Sequence, residues 1–150
     1  MTRRQPMPEQ WFIADASDPE AWRAIRTLPP GCGVLVLGEM SSSEGRKLCR
    51  LATARRLTVM TEAPRTAARV HDVRELKRAL LRRTPLILLS PIHTTASHPG
   101  WMPLPRMRAA ALARLGRRRL HALGGMDAKR YARIAPLGFV GWAGISAFRT

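Results

Sequence analysis

Short apolar runs alternate along the chain with segments whose apolar residues recur every three or four positions. The runs are Trp11–Ala14, Gly33–Leu37 (GVLVL), Leu57–Thr61 (LTVMT), Leu86–Ser90 (LILLS), Leu120–Leu123 (LHAL) and Phe139–Trp142, with Ala68–His71 a weaker, short one. Several are apolar throughout, as strands covered on both faces should be. The intervening segments carry helix signals. Asp18-Pro19-Glu20 supplies a cap, a first-turn proline and a charge that suits the helix dipole, and Pro29-Pro30-Gly31 stops the chain after Leu28. Ser41-Ser42-Ser43 leads into a helix reaching Arg56, with Leu48, Leu51 and Ala52 on one face. Asp72 and Glu75 have capping-box spacing before a helix to Arg83, another helix ends at Gly116, and Asp127 opens the next.

Strands alternating with helices predict βαβ units and a parallel sheet. Seven strands fall one short of a (β/α)₈ barrel, and 150 residues fall short of its usual length of about 250. The expected architecture is therefore a TIM-type α/β barrel, reduced by one βα segment and with a short closing helix. Residues 1–10 read as a flexible N-terminus and 11–150 as a single domain. An open barrel leaves strand edges that a second copy could cover, so a homodimer is expected.

Composition changes this picture only at the surface. The 26 basic and 10 acidic residues give a net charge of +16, a field that favours anionic ligands. The basic residues are spread over every helical segment, while most aromatic residues fall in the apolar runs. That is not the interleaving of a nucleic-acid stacking surface, and no specific nucleic-acid partner is expected. No run approaches the roughly 20 apolar residues of a membrane span, and Met1–Gln10 lacks the apolar segment of a secretory signal, so a cytoplasmic protein is expected. The two cysteines, Cys32 and Cys49, have no metal or disulfide spacing.

Barrel ligands bind at the C-terminal strand ends, with phosphate commonly after the last two strands. Two glycine-containing turns lie there: Gly124-Gly125, which lets backbone approach an anion before Asp127 opens a helix, and Gly141–Ser146, ending Gly144-Ile145-Ser146. The loop after LILLS offers Thr94, Thr95 and Ser97 as hydroxyl donors and His93 and His98 as imidazoles, although such hydroxyls also satisfy their own loops. His71 could act as a base at another strand end, but Asp72 beside it is explained by capping. His121, inside a strand, reads as structural. No Ser-His-Asp triad or paired-carboxylate site can be assembled.

The block LLSPIHTTASHPG (88–100), LHALGGM (120–126) and GWAGISAF (141–148) resembles the motifs after the last three strands of thiamine phosphate synthases and the related thiazole tautomerases. His71-Asp72, the opening WFIAD and the PPGCGVLVLGE stretch are similar to earlier strands of that family. The resemblance implies thiamine biosynthesis: coupling of a pyrimidine diphosphate to a thiazole phosphate with release of pyrophosphate, aided by Mg²⁺. It implies that Thr95, Ser97, Gly124, Gly125, Ile145 and Ser146 surround the thiazole-side phosphate. His98 would stand where synthases place a pyrophosphate-contacting Lys, and His93 is a further catalytic candidate. The chain departs from the family pattern too. VLVLGEM replaces the Q-x-R-x-K run of the second strand, Glu62 is the only acidic candidate near the metal position, and Pro91 stands where tautomerases have a His. A catalytically reduced phosphate-binding or regulatory homologue, or a tautomerase-like one, is the alternative.

Overall fold

The structure is a computed structural model that describes residues 6–63 and 65–149. Seven strands and five helices follow one another: β1 (Gln10–Asp15), α1 (Pro19–Ile25), β2 (Gly33–Leu37), α2 (Ser42–Arg55), β3 (Thr58–Thr61), β4 (Ala67–Val70), α3 (Val73–Leu81), β5 (Leu86–Leu89), α4 (Arg106–Leu115), β6 (Leu120–Leu123), α5 (Ala128–Ile134) and β7 (Gly141–Gly144). Single 3₁₀ turns follow α5 (Ala135–Leu137) and β7 (Ser146–Phe148). All strand pairs are parallel, in the spatial order β3-β2-β1-β7-β6-β5-β4. This is a reduced TIM-type barrel. β3 and β4 are consecutive in the chain, as a full barrel would also have neighbouring strands there, yet they form the two open edges.

Strand alternation sorts side chains into an inner and an outer layer. Trp11, Ile13, Leu35, Ala67, Leu86 and Leu88 cluster on the inside. Phe12, Ala14, Val34 and Val36 point outward against α1 and α2, while Val70, Ile87, Leu89, Leu120 and Ala122 meet α3, α4 and α5. The helices start where the sequence signals them. Asp18, Ser41, Asp72 and Asp127 each accept a backbone N–H of the following first turn, and Ser41 with Glu44 completes a reciprocal capping box. The residues before β1 are tied to the N-terminal strand ends. The Pro8 carbonyl accepts from Trp11 Nε1 (3.0 Å) and His121 Nε2 (2.8 Å), and the Glu9 carbonyl accepts from Trp142 N (2.8 Å). His121 is thus structural, buried at 1% exposure. Met1–Gln5, half of the stretch expected to be flexible, lie outside the described residues.

Three elements depart from the sequence expectation by two residues or more, among them α3, which ends at Leu81 instead of Arg83. The first helix stops at Ile25 instead of reaching Leu28. The last strand is Gly141–Gly144, two residues later than Phe139–Trp142. Phe139 packs among the outer apolar residues, whereas Gly141 lies in the ladder because nothing larger fits: a Cβ there would sit 2.1 Å from the Glu9 carbonyl oxygen.

Candidate functional site

The exits of β5, β6 and β7 are laced together by backbone bonds. Beyond β5, Ile92 N–H donates to the Leu123 carbonyl (2.9 Å) and His93 N–H to the Gly124 carbonyl (3.0 Å), so the loop runs beside the turn that leaves β6. That turn needs its glycines. Gly124 has φ +107° and Gly125 φ +59°, and a Cβ on Gly125 would lie 2.5 Å from the Thr94 carbonyl oxygen. Arg130 Nη1 donates to the Gly125 carbonyl, and Asp127 caps α5 by accepting Arg130 N–H at 2.8 Å. Among the described residues, the Gly125 and Ser146 amides donate to no protein acceptor.

These exits enclose one side of a cavity of about 1330 Å³. Thr94, Thr95, Ser97 and His98 reach it from the loop after β5, Gly124 and Gly125 from the turn after β6, and Ile145 and Ser146 from the exit of β7. His71 borders it from the exit of β4 and Glu62 from the exit of β3. The three sequence motifs therefore converge on one space at the C-terminal strand ends. Its floor is apolar, formed by Ile13, Leu37 and Leu123. The volume exceeds the roughly 300–1,000 Å³ of most small-molecule sites, leaving room for two ligands.

The walls are electropositive. Five arginines (Arg69, Arg78, Arg82, Arg130 and Arg149) border the cavity against three carboxylates (Glu62, Glu75 and Asp127). Each carboxylate is already engaged. Glu62 makes two bonds to Arg69, at 2.8 and 3.1 Å, Glu75 accepts the His71 backbone N–H at 3.0 Å, and Asp127 caps α5. Arg149 pairs with Asp18. Arg78 on α3 and Arg82 at its C-terminal cap, four residues apart, make no ion pair among the described residues and leave uncompensated positive charge.

The individual candidates differ in what they do. Thr95 Oγ1 accepts the His98 backbone N–H at 2.9 Å, so it shapes its own loop as well as bordering the cavity. His71 Nδ1 lies 2.9 Å from the Ser90 carbonyl oxygen and 3.2 Å from Ser90 Oγ. His93 is not part of the cavity wall. Its Cβ packs towards Gly125, and burial, then the charge of Arg130, lowers its pKa and keeps it neutral at pH 7. The residues do not fit the Mg²⁺ centre that the family resemblance implies. Both Glu62 oxygens face Arg69, and no three His, Cys, Asp or Glu side chains gather at one point among the described residues.

Sequence reasoning missed Trp101, Arg130 and the Arg78/Arg82 pair. The arginines read as solvent-face decoration; Arg78 and Arg82 border the cavity because β4, beneath α3, is an open edge, and Arg130 because it folds back from α5 onto the Gly125 carbonyl. Trp101 lies in a proline-rich loop with no periodicity to place it.

This geometry defines the class: a reduced (β/α) barrel with an electropositive cavity at the C-terminal strand ends. No protein-family model matches the chain, and no curated protein is found similar to it. Solved structures do share its fold. Thiamine phosphate pyrophosphorylase from Bacteroides thetaiotaomicron superposes with a TM-score of 0.54 at 15% identity, over 94% of this chain and 84% of that one. A structure described as native KDPGal gives 0.53 at 11% identity, over 97% and 86%. At these identities the likeness establishes the barrel fold alone. No described helix is long and apolar enough to cross a membrane.

Proposed function

We propose that this chain is a thiamine phosphate synthase-type protein of thiamine biosynthesis, coupling a pyrimidine diphosphate to a thiazole phosphate with release of pyrophosphate. The observation that carries the reading is the convergence of residues 94–98, 124–125 and 145–146 on one electropositive cavity. In this reading the thiazole-side phosphate sits against the Gly124–Gly125 turn and Ser146, where free amides and a hydroxyl can donate. The ring nitrogen of the thiazole attacks the pyrimidine methylene, a C–N bond forms, and the C–O bond to the diphosphate breaks, its electron pair leaving with pyrophosphate. Arg130, which reaches back to the Gly125 carbonyl, supplies positive charge towards the leaving group, with His98 where the family has a Lys. No step is routed through a metal, because the carboxylates do not form a site for one.

A second reading, binding without turnover, is favoured by that same engagement of Glu62, Glu75 and Asp127. One experiment separates the two. Purified protein is incubated with both phosphorylated substrates and Mg²⁺, and thiamine phosphate and pyrophosphate are quantified. Equal amounts of both products support the transfer reaction. No product over hours, with thiazole phosphate still binding by calorimetry, supports the binding protein; neither product nor binding removes both.

A further inference from the structure

The strands also have entrances, at the end of the sheet opposite the glycine turns. Of the ten acidic residues, all but Glu9 lie at a strand exit or in the first turn of the helix that follows. The entrances of β4, β5 and β6, three neighbouring strands, carry no carboxylate. They carry Arg65, Arg83 and the run Arg117-Arg118-Arg119, all exposed and none in an ion pair among the described residues. Basic residues that the chain spreads over its helical segments are thus gathered by the fold into one face.

Helix dipoles explain only part of this. A cation in a last helical turn suits the dipole, which accounts for Arg55 and Arg114. At and past the helix ends the choice is less ordinary. Every non-glycine residue of positive φ among the described ones is an arginine: Arg56 (+56°), Arg83 (+54°), Arg117 (+50°) and Arg118 (+58°). Glycine or asparagine usually stands there, because a side chain crowds its own backbone in the left-handed conformation. The turns are also pinned. Thr84 N–H donates to the Ala79 carbonyl and Arg119 N–H to the Gly116 carbonyl, both at 3.1 Å, so the guanidiniums stand on fixed backbone.

Such a face is complementary to a polyanion, and guanidinium forks match phosphate oxygens. Neighbouring strands lie about 4.8 Å apart, so three entrances span about 10 Å. A duplex carries about six phosphate charges along that length of its axis, enough to engage several arginines at once. A lipid surface fits less well. The exposed large apolar side chains beside these entrances are Leu81 and Leu115, with no aromatic anchor. A single strand fits less well too, because Trp101, the exposed ring that could stack a base, lies beyond the exit of β5.

We propose that the entrance face of β4, β5 and β6 binds the phosphate backbone of duplex nucleic acid, without sequence preference, through Arg65, Arg83, Arg117, Arg118 and Arg119. The proposal is independent of the reaction ascribed to the cavity.

The test titrates the full chain into a short, labelled DNA duplex of mixed sequence, by fluorescence anisotropy over a salt series. Arg83→Asn, Arg117→Asn and Arg118→Asn, combined, remove three charges from turns that asparagine tolerates. Arg46→Gln, Arg74→Gln and Arg108→Gln, combined, remove the same charge from the early turns of α2, α3 and α4. Each phosphate contact contributes about 0.9 to the slope of log affinity against log salt. The asparagine variant is therefore expected to bind roughly tenfold or more weakly at low salt, with a slope shallower by about three, while the glutamine variant stays near the wild type. Arg119→Gln, outside the positive-φ turns, repeats the comparison for one charge, with a slope shallower by about one, should the asparagine variant melt early. Equal weakening in the two triple variants makes net charge the cause and overturns the proposal. So does a wild type that fails to bind the duplex, binds the single strand more tightly, or is retained only on phosphatidylglycerol vesicles.

Discussion

Replacing Gly125 with alanine adds one methyl group at the tightest point of the site. At φ +59° an L residue costs about 1–2 kcal/mol relative to glycine. The new Cβ would lie 2.5 Å from the Thr94 carbonyl oxygen and 3.1 Å from both His93 Cβ and Arg130 Nη1. The arginine can swing away. The carbonyl cannot move freely, because the preceding Ile92 and His93 amides are bonded to Leu123 and Gly124. Overpacking of this kind adds about 1–3 kcal/mol. The total, about 2–5 kcal/mol, is a large fraction of the roughly 5–15 kcal/mol that holds a typical domain together. For a chain of this size it lowers Tm by roughly 4–20 °C. The loop and turn also part, so inorganic phosphate binding weakens at temperatures where the variant remains native. The assay pairs thermal unfolding followed by circular dichroism with phosphate calorimetry in the cold. Gly45→Ala is the control: it lies in α2 with nothing within 4 Å of its added Cβ, and it should stabilise by about 0.5–1 kcal/mol. A Gly125→Ala protein with wild-type Tm and wild-type phosphate affinity would refute the close-packing argument.

Burial lowers the pKa of His121 below the ordinary 6.5, with the Pro8 carbonyl opposing, and burial followed by Arg130 lowers that of His93. Both are neutral when folded and take up protons more readily when unfolded, so stability rises with pH between their depressed folded values and about 6.5, then levels. Urea midpoints should be lower at pH 5.5 than at pH 7.5, and His121→Gln should flatten that dependence; an unchanged slope would acquit His121. Glu62→Gln frees Arg69 from a partly exposed ion pair, so it should cost less than about 1 kcal/mol of stability. It should also tighten phosphate binding at low salt, with the gain fading as salt rises; an equal or weaker affinity would count against the electropositive cavity. A homodimer covering the β3 and β4 edges should scatter light at twice the chain mass at micromolar concentration, whereas a monomer mass would leave those edges open.

Most of the barrel was legible because its strands are apolar on both faces: GVLVL and LILL can be little else between helix signals. β4 was faint for a physical reason. As an edge strand it reads AARV, with Arg69 turned to Glu62 where a central strand would carry a core residue. β7 was misplaced because its glycines look like a turn, although Gly141 is required by the close approach of Glu9. The cavity was legible where glycines and hydroxyls cluster at strand exits. The histidines of one loop were not separable in sequence, since His98 borders the cavity and His93, five residues earlier, packs under the β6 turn. Which helix arginines meet a ligand depends on which strand is an edge, and that is a property of the assembled sheet.

The strand order also has a kinetic consequence. β1–β3 are each wound beside their chain neighbour, and so are β4–β7; every ladder but one joins strands consecutive in the chain. The exception, β1 with β7, aligns Gln10 with Trp142 and Phe12 with Gly144. Almost the whole chain is looped out between those partners, so this ladder bears most of the closure entropy, while the two runs of strands assemble from near neighbours. Folding should therefore be limited by the docking of two half-sheets along β1 and β7. Truncating Trp142, which packs on the β7 side of that seam, should slow refolding more than truncating Leu48 behind α2.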